Sequence, residues 1–333
     1  MTTGRPGAAA VPNAAYAGQV VQFPDPVRAE RHPGGVRVDE HGYPDFSPYA
    51  AAAAEVADPP EGFGVDELRL TDYVSANAAL YTQGHELWAD LDTAVATPPG
   101  WTWHHVVGRA PAGWRRMELV PVEVKALLRH HGGLAISTAD HTRRGTRPLQ
   151  ERRAVHFPLA KDGGDPLVVT EDLVQRAEQR LGHPLPPVYR DFLKLAGGRG
   201  PVGAALDVDL GLLVDQPFLT LSEEYGVQDL VYANKCLRDH LTKDYLAVAY
   251  QQGGLLALKV RGEQTGSVWF LPYDDARDEG ADESPEQRVA RLLLPCGDSF
   301  DAFLLRLAGS PPELETVAEL MVDGGFARAV PVN

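Results

Sequence analysis

The chain has 333 residues, about twice the length of a typical domain, and 44% of them are hydrophobic, which predicts two domains with ordinary buried cores. Its net charge of −15 argues against a generally basic nucleic-acid binder, because neutralisation of phosphates dominates such binding. No apolar run approaches the roughly 18 residues of a membrane-spanning helix, and the N-terminus lacks the apolar core of a secretory signal. We therefore expect a cytoplasmic protein with no membrane partner.

The acidity is concentrated in the second half of the chain. Residues 1–150 carry a net charge of −4, and residues 151–333 carry −11. The two cysteines, Cys236 and Cys296, stand in no metal-type spacing. A disulfide between them is not expected in a reducing compartment.

The elements of the first half begin after a segment rich in Ala, Gly and Pro, which predicts a mobile tail. The alanine-rich residues 50–57 fit either a strand or a helix. Thr71 is predicted to cap a helix that carries Tyr73 and Ala76 and continues in helical fashion to Leu91. A Pro-Pro-Gly turn then delivers the chain to Trp101.

Residues 101–133 form the centre of the sequence argument. They hold four of the eleven histidines, as the adjacent pairs His104-His105 and His130-His131. Imidazole binds transition metals and titrates near neutral pH, so such a cluster can hold a cation and supply a general base. Alternatively, one histidine of each pair packs or hydrogen-bonds locally while the other faces water. The spacing leaves both interpretations open.

The predicted order in this stretch is strand, arginine-bearing loop, strand and helix. The second strand covers Met117 to Val120, and the helix begins at Pro121 and ends at Gly132-Gly133. Further on, residues 140–155 are rich in arginine. Clustered arginines fit either contact with a phosphate backbone or a solvated linker.

The second half predicts helices followed by strands. Thr170 caps a helix that Gly182 stops, and Pro186-Pro187 starts a second helix. A strand segment covers 206–214, and a helix covers 230–241. Three β-rich runs separated by QQGG and RGEQTG turns then predict an antiparallel meander, and a closing helix starts at Ser299.

This second half resembles the SUKH immunity proteins over roughly residues 167–308. The resemblance is carried by the helix pair AEQRLGHPLPPVYRDFLKLAGG, the meander YLAVAYQQGGLLALKVRGEQTGSVWF and the closing DSFDAFLLRL, in that order. It implies an α+β domain with an antiparallel meander and flanking helices. It also implies a protein partner, a toxin above all, and the acidity of this half suits the basic cleft of a nuclease.

The first half resembles the WHH subtype of HNH nuclease domain, found as toxin tips in bacterial polymorphic toxin systems. The matching residues are GYPDFSPYA at 42–50, GWTWHH at 100–105, MELVP at 117–121 and HHGG at 130–133. The resemblance implies an HNH-type ββα-metal-like fold around one divalent metal ion (Mg, Mn, Ni or Zn). It implies nucleic acid as the partner, with DNA as the first expectation.

The resemblance also assigns roles to residues. His104 corresponds to the metal-binding histidine and His105 to the base that activates water, although this order within the pair can be reversed. His130 lies at the second ligand region. Three arginines are candidates to hold the substrate phosphate through bidentate bonds, and a solvated loop explains them equally well: Arg109, Arg115 and Arg116.

Lys125 departs from the family pattern, which places a histidine five residues before the one aligned with His130. A protonated lysine offers no lone pair and adds positive charge beside a cation, so it marks a degenerate ligand position. His131, Glu118 or Glu123 are the residues that can compensate. Whether the chain is an enzyme therefore stays open.

Two functional hypotheses follow. The first is a metal-dependent endonuclease weakened or inactivated by Lys125 and joined to a SUKH immunity-like domain. The alternative is a non-catalytic immunity or decoy protein that binds a related nuclease toxin, and a third possibility is a two-domain protein with neither role. The expected domains are a disordered tail at 1–20, the nuclease-like domain at 21–150, a linker at 151–168, the SUKH-like domain at 169–310 and a C-terminal extension at 311–333.

Overall fold

The computed structural model describes residues 11–58, 65–131, 133, 154–161, 164–207, 209–222, 226–275, 277–278, 283–309 and 312–332. Over these residues the protein is a mixed α+β structure whose sheets are antiparallel, so the predicted class is confirmed at that level. The arginine-rich segment at 140–155 lies outside the described residues except for its last two positions. No helix of the described part is both long and apolar enough to cross a membrane.

The first half contains two sheets and the helices that connect them. Strands β1 (Val20–Val21), β2 (Val36–Val38) and β3 (Pro44–Asp45) form a small three-stranded sheet. The elements that follow are β4 (Ala52–Ala57), β5 (Trp101–Val106) and β6 (Trp114–Pro121), with helices α1 (Pro26–Arg31), α2 (Val65–Gln83) and α3 (Val122–Lys125).

The second half contains the predicted helix pair, the meander and a short extra sheet. Its helices are α4 (Glu171–Leu181), α5 (Pro187–Ala196), α6 (Leu230–Cys236), α7 (Pro285–Leu292) and α8 (Phe300–Arg306). Its strands are β7 (Ala205–Asp207), β8 (Leu212–Val214), β9 (Tyr245–Gln251), β10 (Gly254–Lys259), β11 (Val268–Pro272), β12 (Leu294–Gly297) and β13 (Leu307–Gly309).

The predicted meander is present as β9-β10-β11, and β12 extends it by one strand. The Gly253 residue of the QQGG turn has φ +78°, a conformation that suits glycine. Thr170 caps α4 by accepting from the Leu173 backbone, and Gly182 ends it in the left-handed region, as the sequence predicts. The helices cover the meander with a largely apolar core.

The C-terminal segment returns to the first half of the protein. Helix α9 (Pro312–Asp323) packs against α2, and strand β14 (Ala327–Val330) pairs with β4. The resulting sheet has the order β14-β4-β6-β5. The segment predicted as a C-terminal extension therefore completes the N-terminal sheet, a long-range pairing that no local pattern encodes.

Three predicted elements have different bounds in the structure. Helix α2 begins at Val65, so Thr71 lies inside it and is not its cap, and Gly84 with φ +74° ends it before Leu91. The predicted 206–214 strand is the hairpin of β7 and β8. The helix predicted from Pro121 to the glycines is only the single turn α3, and beyond it His130 pairs with Asp274 of the second half.

Residues 11–20, part of the segment predicted to be a disordered tail, pack against the first half. Asn13 is 4% exposed, and its side-chain amide donates to the Arg129 carbonyl. This contact anchors the segment close to His130.

The two halves share an extensive contact. Trp103, Met117 and Leu119 of the β5–β6 hairpin belong to one core cluster with Leu206 and Leu213 of the second half.

A buried polar network lies beside this shared core. The Asp215 carboxylate accepts from the Thr97 backbone at 2.9 Å, and the Gln216 side chain accepts from the Gly100 backbone at 2.8 Å. Gln252 accepts from the Trp103 backbone at 3.2 Å. Side chains of the second half thus bind the backbone at the start of the hairpin and in the turn before it.

Candidate functional site

The β5–β6 hairpin places the two adjacent histidines on opposite faces of the sheet. In the register of the ladder, His104 pairs with Glu118 and His105 pairs with Met117. Because successive side chains of a strand alternate between faces, His104 and His105 cannot point to the same side. Each histidine therefore has its own surroundings.

His104 faces His130 and Phe46. The ring centroids of the two histidines are 5.0 Å apart, and Phe46 lies 5.0 Å from His104 and 5.3 Å from His130. His104 is 5% exposed and His130 is fully buried. His130 Nδ1 lies 3.2 Å from the Leu128 carbonyl, whereas His104 Nδ1 and His130 Nε2 have no hydrogen-bond partner among the described residues. These two buried ring nitrogens are the ones that could donate a lone pair to a metal ion.

Lys125 is buried against strand β5, the strand that carries His104. Its side chain is 1% exposed, and its Nζ donates to the Trp103 carbonyl at 2.5 Å. Burial lowers the pKa of Lys125 to about 8, and the nearby Asp274 carboxylate opposes that shift. At neutral pH the ammonium form still dominates, so a buried positive charge lies beside both imidazoles.

The two imidazoles are held in their neutral form. Burial, and after it the charge of Lys125, lowers the pKa of His130 to about 4. The pKa of His104 also falls well below 6.5, first through burial and then through His130 and Lys125. Neutral imidazole is the form that ligates metals, yet the same Lys125 charge repels a cation.

The second half contributes a carboxylate to this centre. His130 forms an isolated parallel β-bridge with Asp274, which follows strand β11. The Asp274 carbonyl also accepts from Arg69 of α2 at 2.9 Å, and Arg129 forms an ion pair with Asp278 at 2.7 Å. The His130 segment is therefore fixed against the second half.

His105 faces α2 and is held by ionic partners. Its Nε2 lies 2.9 Å from the Asp72 carboxylate, which is fully buried and also pairs with Arg115 at 2.5 Å. Burial alone raises the pKa of Asp72, but the hydrogen bond from His105 and the charge of Arg115 more than offset this, so the pKa of Asp72 is lowered. Asp72 thereby fixes the orientation of the His105 ring.

The three arginines take different places. Arg109 is 43% exposed, donates to the Ser47 hydroxyl at 2.5 Å, and lines a cleft of about 310 Å³ together with His104 and His131. Arg115 is committed to Asp72 and to Asp58.

The third arginine, Arg116, pairs with the buried Glu118 at 3.1 Å and donates to the Pro331 carbonyl at 2.9 Å. Arg115 and Arg116 line a second cleft of about 250 Å³ beside His105. Of the three, Arg109 is the arginine beside His104.

A divalent metal does not fit the residues that surround His104 and His130. The described residues contain no group of three or more His, Cys, Asp or Glu arranged to hold a metal ion. Glu118 is engaged by Arg116, and Glu123 by Arg31 and His32. Neither glutamate is therefore available to compensate for Lys125.

The sequence argument placed His104, His105 and His130 in one site. The structure brings His104 close to His130 and places Arg109 in the cleft beside His104, but it puts His105 on the opposite face of the hairpin, so the two adjacent histidines do not form one site. The sequence argument did not identify Asp72 or Asp274 as residues of the site. Asp72 carries a weak signal, since it is a carboxylate next to apolar positions of a helix. Asp274 carries none, because its approach to His130 depends on how the halves pack.

Comparison with protein families gives two matches. Residues 94–140 match the model of the WHH family, described as a nuclease of the HNH/ENDO VII superfamily with conserved WHH. Residues 168–306 match the SMI1/KNR4 family, SUKH-1. Both resemblances drawn from the sequence are thereby confirmed: one region of the chain matches the WHH nuclease family, and a region after it matches SUKH-1. Comparison with curated proteins gives no match.

Proposed function

We propose that this chain is a protein of a toxin–immunity system whose WHH nuclease domain has a metal centre closed by Lys125, and that it acts through protein contacts. The observation that carries the proposal is the buried Lys125 ammonium, which is fixed on the Trp103 carbonyl and whose charge acts on both His104 and His130. A fixed ammonium at that place supplies the positive charge that a nuclease draws from its metal, but it offers no exchangeable coordination site for a phosphate oxygen or water.

The separation of His104 from His105 supports the same proposal. A general base must reach the water that attacks the phosphate. His105 is instead 2% exposed and hydrogen-bonded to Asp72, on the other face of the hairpin from His104. The contact between His105 and Asp72 therefore suits a structural role in the hairpin better than the role of a general base.

The partners follow from the two domains. A SUKH-1 domain supports a protein partner, and its net negative charge suits a basic nuclease toxin. In this proposal the WHH domain, with its metal centre closed, acts as a decoy: it binds the proteins that recognise active nucleases of the same family.

A weak metal-dependent endonuclease, with a nucleic acid as its substrate, is the second candidate. It is favoured by the two imidazole nitrogens that have no hydrogen-bond partner among the described residues, and by Arg109, which is partly exposed and lines a cleft together with His104. Any residual hydrolysis then requires a metal to bind despite the charge of Lys125.

Plasmid cleavage by the full chain distinguishes these functions. We expect no cleavage by the wild type with Mg²⁺, Mn²⁺, Ni²⁺ or Zn²⁺, and metal-dependent cleavage by Lys125→His, because the third imidazole replaces a charge with a ligand. Lys125→Met is the matched control, since it removes the charge without adding a ligand, and it should stay inactive. Wild-type cleavage that requires a metal and is lost in His104→Ala contradicts the closed site and establishes the weak nuclease. The same set run on single-stranded RNA covers the other substrate.

A further inference from the structure

The SUKH-1 half contains a cleft between the ends of α4 and α6 and the start of β9, with a volume of about 300 Å³. We call it the α4–α6 cleft. Its floor is apolar and consists of Leu237, Leu241 and Leu246, which are 1%, 5% and 2% exposed. Tyr245 forms part of the wall, where the Lys259 ammonium lies 5.7 Å from the centre of its ring.

The rim of the cleft is cationic although the half as a whole is acidic. Arg238, Lys243 and Arg261 line it, and none of the described residues that line it carries a carboxylate. Arg261 is oriented by donating to the Gly182 carbonyl at 3.3 Å. Residues 151–333 carry a net charge of −11, so a rim of this sign is a local departure from the average.

Arg238 and Lys243 extend from this rim into solvent. Both are exposed, and within the described residues neither forms an ion pair or a side-chain hydrogen bond. Their sequence neighbours Asp239 and Asp244 do not line the cleft. Several other cations of this half are paired with carboxylates, as Arg190 and Lys194 are with Glu171. These two unpaired cations above an apolar floor make the cleft locally positive within a negatively charged half of the protein.

We propose that the α4–α6 cleft binds a short acidic peptide segment of a partner protein, in which a hydrophobic side chain is flanked by carboxylates. The hydrophobic side chain enters the leucine floor, and the carboxylates meet Arg238, Lys243 and Arg261. An exposed ion pair contributes little by itself, so both parts of the ligand are needed for binding. The proposal concerns residues outside the histidine site and does not depend on the closed metal centre.

A polyanionic ligand such as nucleic acid fits this cleft less well. The surrounding half is strongly acidic and repels a long phosphate chain, whereas a short segment needs only the local cationic rim. The leucine floor also matches an aliphatic side chain better than a base. Charge complementarity and the apolar floor together select the peptide.

The test uses the full chain and the fluorescein-labelled peptide Asp-Glu-Leu-Glu-Asp, with binding followed by fluorescence anisotropy. Three comparison probes are a peptide with Gly in place of Leu, a peptide with Asn and Gln in place of the acids, and labelled oligo-dT. We expect saturable binding of the first peptide, at least fivefold weaker binding of each altered peptide, and weaker binding in 0.5 M NaCl because surface ion pairs are screened.

Charge-reversal variants localise the binding. Arg238→Glu/Lys243→Glu should weaken binding of the first peptide at least tenfold. Because both side chains are exposed, this variant should keep the circular dichroism spectrum of the wild type. Lys161→Glu/Arg176→Glu makes the same change in net charge at exposed positions outside the cleft and should leave the affinity within twofold. The proposal is overturned by equal weakening in both double variants, by absence of saturable peptide binding, or by preference for oligo-dT. None of these outcomes involves cleavage, so they are independent of the proposed function.

Discussion

The core of the SUKH-1 half and the core around the hairpin are built from different chemistry. The former contains a cluster of aromatic rings from Tyr189, Phe192, Phe218 and Phe300, with centroid separations of 4.9 Å to 6.4 Å. The hairpin is surrounded by buried ionisable groups, which are His104, His105, Asp72, Glu118, Lys125 and His130.

We expect the aromatic core to contribute most to stability and the buried ionisable groups around the hairpin to contribute less. Burying apolar rings stabilises a fold directly, whereas burying charges requires partners and often contributes little net stability. Ionisable groups with shifted pKa values often cluster at functional sites. Around the hairpin, Asp72, His104, Lys125 and His130 form such a group.

The largest effect is expected from removal of Asp72. Asp72→Ala leaves Arg115 and His105 without a buried partner, and breaking a buried pair in this way costs about 3–5 kcal/mol. Urea unfolding of the full chain, followed by tryptophan fluorescence, measures the loss.

Leu193→Ala in the apolar core is the reference for this comparison, since Leu193 is fully buried. Its cost, about 2–5 kcal/mol, should not change with pH. The folded pKa of Asp72 is lowered, so its contribution is present above the ordinary carboxyl pKa and is lost as pH falls through the folded value. A pH-independent cost for Asp72→Ala between pH 7 and pH 3 contradicts an ionic role.

A smaller effect is expected where the two regions meet. His240 of the second half is 4% exposed and shares a hydrogen bond with the Ala126 backbone beside α3. Burial, and then the charges of Arg288 and Arg129, lower the pKa of His240 to about 3. Its neutral form is therefore fully tolerated above pH 6.5, and stability is lost as pH falls from there towards 3.

At pH 5 this histidine should reduce the free energy of unfolding by about 2 kcal/mol relative to pH 7.5. In His240→Gln that part of the pH dependence should vanish, and the difference between the two proteins cancels the contributions of other groups. An identical pH dependence for wild type and variant places the acid-sensitive contact elsewhere.

Much of the fold was predictable because its signals are local. The Thr170 cap, the glycine that ends α4 and the turn at Gly253 each fix a boundary within a few residues. The pairing of β14 with β4 joins segments about 270 residues apart, as the register of Ala327 with Val56 shows, and no local pattern reports it. The bounds of α3 were also missed: the helix ends at Lys125, and the pairing of His130 with Asp274 further along the chain involves the other half and has no local signal.

The candidate site was predictable in part for the same reason. The strand alternation separates His104 from His105 once the hairpin register is accepted, and the family pattern singles out Lys125. The partners Asp72 and Asp274 come from a distant helix and from the other half. Their contribution depends on tertiary packing and is not encoded in spacing.

Calorimetric titration of Zn²⁺ into the full chain tests the closed metal centre most directly. The charge of Lys125 beside His104 and His130 predicts that the wild type binds no equivalent that depends on His104, whereas Lys125→His binds one equivalent. His104→Ala in each background removes the contribution of surface histidines from the comparison. If the wild type binds one equivalent of Zn²⁺, loses it in His104→Ala and is unaffected by Lys125→His, the ammonium does not close the site and the central claim is contradicted.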